Sequence, residues 1–289
     1  MNIKEFTKLF KINIPIEEYL DYYIETLNES KEFSDLKNLI IRFEQYEKYV
    51  NGLDIKLDDY KMKIAFKTIL PFFQENEKYK ELEKFYINNH NSFNLTSKDE
   101  LFKNNGRILI SFDFKSSNYN VIRSFNNSLP ETWQELLQKL NIHPVLSESK
   151  SFRQLVLGNL NPKMLNKISH YKMMEFIKRF NTNDIIYLSQ DEVVVIYNGN
   201  TKLISEEFEL PVRKTILSYE NLPSGYLKNI WLERNINDKS SSLILDYKSL
   251  YCVSANKYFW YFKKYILNKE LDDRDLTFIC DGEKAKFLI

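Results

Sequence analysis

The chain has 289 residues, 43% of them hydrophobic and 28% charged, which is enough for one large or two ordinary domains and excludes disorder throughout. Its 41 Lys and Arg against 40 Asp and Glu leave a formal charge of +1, which argues against a basic histone-like protein and an acidic tail protein. The 21 Phe, 19 Tyr and only 6 Gly are typical of a viral or other AT-rich genome, so single aromatic residues carry little information.

Two cysteines, Cys252 and Cys280, are too few for a disulfide framework and lack the spacing of a metal site. The N-terminal residues alternate charged and apolar side chains, and no run of about 18 apolar residues occurs. These features predict a reduced intracellular protein, cytoplasmic or in another internal compartment, with no membrane partner.

The first hundred residues are predicted to be helical. Apolar residues between Ile16 and Asn88 recur at intervals of three and four, which is the period of amphipathic helices. The polar run over 88–106 ends in Asn-Asn-Gly and favours a boundary near residue 100. We therefore predict a helical N-terminal region over 1–100 and a second domain over 101–289.

The pattern changes after this boundary. Residues 107–114 form a short apolar run of strand-forming residues that ends at Asp113 and Phe114, followed by a polar turn and a short helix-like segment. Three helices are predicted next, over 130–141, 147–158 and 162–180, because Pro or Ser opens each of them and apolar residues recur within them.

A hairpin is predicted over 185–197. Its two apolar runs flank the acidic turn Ser-Gln-Asp-Glu that ends at Glu192. Further elements are predicted beyond it. They are strands over 202–204, 208–217, 243–245 and 277–280 and a helix over 258–267.

Asp113 and Asp191 are the candidate catalytic residues. Strand ends and hairpin turns present carboxylates without burying unpaired charge, so the two could converge if their strands are neighbours. Paired carboxylates suit Mg²⁺ or Mn²⁺, which activates a 3′-hydroxyl and stabilises a departing pyrophosphate in two-metal sites. Glu192 would be a supporting carboxylate beside the two aspartates.

A basic helix between these two features is the candidate anion site. Lys150, Arg153 and Gln154 fall within one helical turn, and Lys150 and Arg153 are three residues apart, so they share a face. A lysine and an arginine on one helix face can bind a triphosphate.

The segment LSQDEVVV resembles the strand, turn and strand motif of family A DNA polymerases, and DFKSSNYNVIR resembles the first palm motif of polymerases, with a DF-x-S start that family B polymerases share. The resemblance covers roughly residues 105–200 and is greatest to family A. The resemblance implies an α+β fold, in which a helical N-terminal region precedes a palm-like antiparallel sheet packed with helices. It also implies that the basic helix corresponds to the fingers helix that binds incoming nucleotide. Asn118 lies in the region where that family has a glutamate that helps to exclude ribose, and Gln190 stands where it has histidine.

The predicted function is a metal-dependent nucleotidyltransferase that adds nucleotides to a nucleic-acid 3′ end. Nucleic acid and nucleoside triphosphates would be its partners, together with possible replication proteins. Two alternatives stay open: a catalytically silent palm-derived module that binds nucleic acid or a replication partner, and a metal-dependent nuclease that uses the same carboxylates. Asp113 and Asp191 could also be ordinary turn residues, and Lys150 and Arg153 ordinary solvated residues.

Overall fold

The computed structural model describes residues 15–30, 33–53, 55–88, 95–197, 208–222, 230–239, 242–251, 253 and 257–287. The chain forms two compact units, a central unit of residues 47–217 and a terminal unit made of 1–46 and 218–289. The division therefore does not fall near residue 100. Thr96 and Leu188 explain why: each backbone amide of this pair donates to the other residue at 3.0 Å, which ties the segment before residue 100 to the sheet.

Helices dominate the N-terminal part of the chain, as predicted. They are α1 Leu20–Asn28, α2 Leu36–Asn51, α3 Leu57–Ile64, α4 Leu70–Gln74 and α5 Glu77–Asn88. The pattern in α2 shows the cause, because its buried residues recur at intervals of three and four and make one apolar stripe. These residues are Leu36, Ile40, Phe43, Tyr46 and Val50.

The central unit holds an antiparallel sheet. Its strands are β1 Leu109–Phe114, β2 Ile185–Leu188, β3 Glu192–Ile196 and the first part of β4 Val212–Leu222, in the order β2-β3-β1-β4. In register, Leu109 lies opposite Ile196 of β3 and Leu217 of β4. The predicted fold class, α+β with a helical N-terminal region and an antiparallel sheet packed with helices, is confirmed.

The other α-helices of the central unit lie before β1 and between β1 and β2 in the sequence. They are α6 Asp99–Phe102, α7 Ser117–Phe125, α8 Trp133–Lys139, α9 Pro144–Glu148, α10 Lys150–Gly158 and α11 Pro162–Ile177. Helix α8 begins later than Pro130 suggested, because Thr132 and Glu135 form a capping box. The predicted helix over 147–158 is divided at Ser149, whose side chain accepts from the Phe152 amide at 3.2 Å.

One face of β1 is packed against α11. Phe112 and Phe114 are buried, and their ring centroids lie 5.7 and 6.0 Å from that of Phe176. Burial of each such ring contributes roughly 1.5–3 kcal/mol. Because side chains alternate along a strand, burial of these two rings directs Ser111 and Asp113 to the other face.

The terminal unit contains strands β5 Ile230–Lys239 and β6 Ser242–Tyr251, helix α12 Tyr258–Tyr261 with a π-helical turn over Phe262–Ile266, helix α13 Asp273–Leu276, and strands β7 Thr277–Cys280 and β8 Glu283–Lys286. Its core includes Tyr23 and Leu27 packed with Phe259 and Phe262. Strand β5 was not predicted, and the strand predicted over 202–204 lies outside the described residues. Among the helices described, none is both long and apolar enough to cross a membrane.

Candidate functional site

An open pocket of about 730 Å³ lies within the central unit. It is formed by the end of β1, the turn between β2 and β3, the start of α7, one face of α10 and the start of β4. The lining residues are Asp113, Phe114, Lys115, Ser116, Ser117, Asn118, Arg153, Gln154, Leu157, Asn166, Asp191 and Arg213. The pocket thus brings together residues that lie up to 100 positions apart in the sequence.

Strand pairing places Asp191 beside Asp113. Strands β1 and β3 are antiparallel neighbours, and the Phe114 amide donates to the Asp191 carbonyl oxygen at 2.8 Å. The hairpin turn is therefore fixed next to the end of β1 by the main chain. Asp113 and Asp191 both line the pocket. The sequence predicts that the two residues converge if their strands are neighbours.

The turn that carries Asp191 is closed by Ser189. The Ser189 hydroxyl oxygen accepts from the Glu192 amide at 3.0 Å, and the Ser189 amide donates to the Glu192 carbonyl at 2.8 Å. Helix α11 contacts the turn, because His170 Nδ1 lies 3.3 Å from the Ser189 carbonyl oxygen. Burial lowers the pKa of His170, so its neutral form is favoured.

The two carboxylates interact electrostatically. Burial raises the pKa of Asp191, and the negative charge of Asp113 raises it further, while the Ser189 hydroxyl acts in the opposite direction. The negative charge of Asp113 therefore lies close to the Asp191 carboxyl group, and a positive charge near the two is electrostatically favourable.

Arg213 supplies one positive charge to this end of the pocket, and sequence reasoning missed it. It lies on β4 directly opposite Asp113, and its guanidinium forms an ion pair with the Asp113 carboxylate. The Arg213 side chain is 65% exposed and that of Asp113 is 24% exposed. An arginine in a predicted strand carries no local signal, since only the strand register brings it to Asp113.

Helix α10 contributes Arg153 and Gln154 to the lining, and Arg153 makes this the basic part of the pocket. Burial lowers the pKa of the half-buried Arg153 guanidinium. Within the described part of the chain, no hydrogen bond or ion pair joins this guanidinium to another side chain. Lys150 is the first residue of α10, but its side chain lies outside what the structure describes.

The start of α7 completes the lining. Ser116 adopts a left-handed conformation (φ 45°) before the helix, and Asn118 lies in the first helical turn and lines the pocket. Two contacts hold the segment: the Lys115 amide donates to the Pro211 carbonyl at 2.9 Å, and the Asn120 side chain donates to the Lys115 carbonyl at 2.5 Å. The first amides of a helix have no intrahelical acceptor, which adds donors suited to an anion.

Glu192 takes a different position from the other candidates. It lies opposite Asp113 in register, but its carboxylate accepts from the Ser111 hydroxyl at 2.6 Å and it is not among the lining residues. The pocket thus contains Asp113, Asp191 and Arg153, together with Gln154 and Asn118. It does not contain Glu192.

A divalent metal fits this donor set only in part. Across the described ranges, no group of three or more His, Cys, Asp or Glu side chains could hold a metal ion. Mg²⁺, however, usually binds through one or two carboxylates and completes its coordination with water and substrate phosphates. Asp113 and Asp191 are consistent with such a site if the phosphates of a nucleotide supply the remaining oxygens.

The chain was compared with models of known protein families, with curated proteins and with solved structures. None of the three comparisons found a match. Its function must therefore be inferred from the residues of the pocket.

Proposed function

We propose that this protein is a metal-dependent nucleotidyltransferase that adds nucleotides to the 3′ end of a nucleic acid. One observation carries the proposal: two carboxylates and a guanidinium from three distant segments, Asp113, Asp191 and Arg153, line one open pocket. The pocket volume of about 730 Å³ is in the range of small-molecule sites, which is about 300–1,000 Å³. The order of aspartate strand, basic helix and acidic hairpin, which resembles family A DNA polymerases, supports the same conclusion.

In this reaction the 3′-hydroxyl oxygen forms a bond to the α-phosphorus of the nucleotide. The bond from that phosphorus to the oxygen bridging to the β-phosphate breaks, pyrophosphate leaves, and the hydroxyl proton passes to solvent. Asp113 and Asp191 would hold Mg²⁺ or Mn²⁺, which lowers the pKa of the attacking hydroxyl and neutralises charge on the phosphates.

The residues of the basic part would bind and orient the triphosphate. Arg153 offers a planar set of donors to phosphate oxygens, and its half-buried charge would gain a partner when an anion enters. Gln154 lies beside it on the same helix, and Asn118 lies at the start of α7, so both can donate to the bound nucleotide. The bound nucleotide would thus be oriented by two separate elements.

A second candidate function is a catalytically silent module that binds nucleic acid or a replication partner. The ion pair between Arg213 and Asp113 favours it, because a carboxylate already paired with a guanidinium is less available to a metal. This candidate predicts that the protein binds nucleic acid without binding Mn²⁺ or nucleotide at the pocket.

A primer-extension assay separates these functions. Purified protein would be incubated with labelled single-stranded primer or primer-template, all nucleotides, and Mg²⁺ or Mn²⁺. We expect extension by the wild type and a loss of about 10³-fold or more for Asp113→Asn and Asp191→Asn, since metal stabilisation is worth several kcal/mol. Asp99→Asn, an exposed aspartate of the same unit outside the pocket, should extend like the wild type.

Two results would contradict the proposal. Absence of extension, together with absence of any Mn²⁺ or nucleotide binding that the two variants abolish, would favour the silent module. Shortening of the labelled strand without nucleotides, lost in the same variants, would indicate a nuclease.

A further inference from the structure

The contact between Arg213 and Asp113 conflicts with metal binding. Antiparallel pairing of β1 with β4 places the two residues directly opposite each other, and the guanidinium contacts the carboxylate oxygen Oδ2 of Asp113. A metal held between Asp113 and Asp191 needs oxygen lone pairs from Asp113. The guanidinium and a metal therefore compete for the same carboxylate.

The ion pair is weak enough to open. Arg213 is 65% exposed and Asp113 is 24% exposed, and a pair with an exposed partner contributes only about 0–1 kcal/mol because water solvates the guanidinium well. Arginine has a long, flexible stem, and Arg213 lines the same pocket as Arg153. A phosphate group that enters this pocket would be a more highly charged acceptor than one carboxylate, so the guanidinium has an alternative partner within the pocket.

We propose that Arg213 is a positioning residue that pairs with Asp113 when no metal is bound and transfers to a phosphate of the nucleotide when metal and nucleotide bind. The inference rests on the proposed function and adds to it a coupling between metal binding and nucleotide binding. Metal alone must displace the guanidinium from Asp113. When a triphosphate is present, the displaced guanidinium gains a phosphate partner. Metal and nucleotide therefore bind cooperatively, and by thermodynamic linkage each increases the affinity for the other by the same factor.

Two binding measurements test the exchange without relying on activity. Mn²⁺ alone is titrated into the protein and followed by electron paramagnetic resonance. Labelled ATP and dATP are then measured by equilibrium dialysis in the presence of Mg²⁺. The variant is Arg213→Gln, and Arg107→Gln is the matched control, because Arg107 is an exposed arginine of the same unit outside the pocket.

The two measurements should change in opposite directions. Arg213→Gln should bind Mn²⁺ alone about two- to fivefold more tightly, because the competing ion pair is lost. It should bind the triphosphate about tenfold more weakly, because a hydrogen bond to a charged group is lost. Arg107→Gln should change neither affinity, and Arg213→Lys, which keeps the charge, should lie between the variant and the wild type.

The outcomes separate this inference from the proposed function. If Asp113→Asn abolishes Mn²⁺ binding but Arg213→Gln changes both affinities in the same direction, or neither, then the exchange is wrong and the metal site stands. If the wild type binds no Mn²⁺, or if Asp113→Asn leaves its binding unchanged, then the metal site and the exchange are both wrong.

Discussion

Two clusters of charged residues, one in each unit, differ in how well their charges are paired. In the terminal unit, Lys263 Nζ donates to Tyr22 Oη at 2.9 Å, to Asp272 Oδ2 at 3.0 Å and to Asp275 Oδ2 at 2.9 Å. Asp275 has 0% side-chain exposure. In the central unit, by contrast, the pocket leaves Arg153 without a partner among the described side chains.

The pKa directions express the same difference. Burial opposes the charge of Lys263, but its hydrogen bonds to Tyr22 and the two aspartates outweigh burial and raise its pKa. In the pocket, burial disfavours the charged forms of both Asp191 and Arg153. A cluster whose charges satisfy one another stabilises the fold, whereas a cluster with poorly satisfied charges is typical of a ligand site.

The largest stability effect should come from the terminal cluster. Lys263→Met leaves the fully buried Asp275 without its cation, and removal of one partner from a buried pair costs about 3–5 kcal/mol. Urea unfolding followed by circular dichroism would measure the loss. Lys269→Met, which breaks an exposed pair with Glu29, should cost only about 0–1 kcal/mol. Equal losses in the two variants would remove the distinction between the clusters.

Arg153→Met should separate binding from stability. Triphosphate affinity should fall by about 10- to 100-fold, since hydrogen bonds to charged groups contribute roughly 1.5–3 kcal/mol. Stability should stay within about 0.5 kcal/mol of the wild type, because no ion pair within the described chain is lost. Dialysis with labelled ATP and a thermal scan would provide the two values, with Arg107→Met as control. A large loss of stability with unchanged affinity would show that Arg153 is structural.

Asp191→Asn should stabilise the protein at neutral pH. The folded state raises the pKa of this carboxyl above its ordinary 3.8, so its contribution to stability is complete below pH 3.8 and is lost as pH rises through the folded pKa. The neutral amide avoids this loss, and replacements of this class contribute roughly 0.5–2 kcal/mol. Thermal scans at pH 7 should show a higher Tm than wild type, and the advantage should vanish below pH 3.8. A lower Tm at pH 7 would contradict the pKa direction.

His170 should make a smaller, pH-dependent contribution. Its folded pKa lies below 6.5, so the folded state binds fewer protons than the unfolded state, and stability falls as pH decreases below 6.5 towards the folded pKa. His170→Gln should therefore reduce the slope of Tm against pH in this window, whereas His143→Gln, at an exposed position, should keep it. An unchanged slope in the His170 variant would count against burial as the cause.

Local patterns in the sequence predicted the elements that carry most of the pocket. The apolar run of β1, the hairpin of β2 and β3, and the start of α11 at Pro162 are all encoded within a few residues. Strand β5 could not be predicted in this way, because polar residues such as Glu233 and Asn235 interrupt its apolar pattern. Its pairing with β6, a tertiary interaction, outweighs that composition.

The residues that line the pocket were only partly predictable, because some of them are brought there by tertiary interactions. Asp113 and Asp191 could be selected from the sequence, because Asp113 lies at the end of one apolar run and Asp191 lies between two others. Arg213 could not, because its role depends on the register of β4 against β1, which is set by the whole sheet. Glu192 illustrates the reverse case, since it follows Asp191 in the sequence but its side chain contacts Ser111.

The hydrogen bond from the Phe114 amide to the Asp191 carbonyl has a consequence for sequence change. It joins two main-chain groups, so the distance between the strand end and the turn does not depend on the identity of the side chains at either position. Replacement of the exposed Gln190 or Lys115 should therefore leave the two carboxylates in place. Residues around the pair can vary, and a library randomised at positions 115 and 190 would be a practical starting point for altering ligand preference.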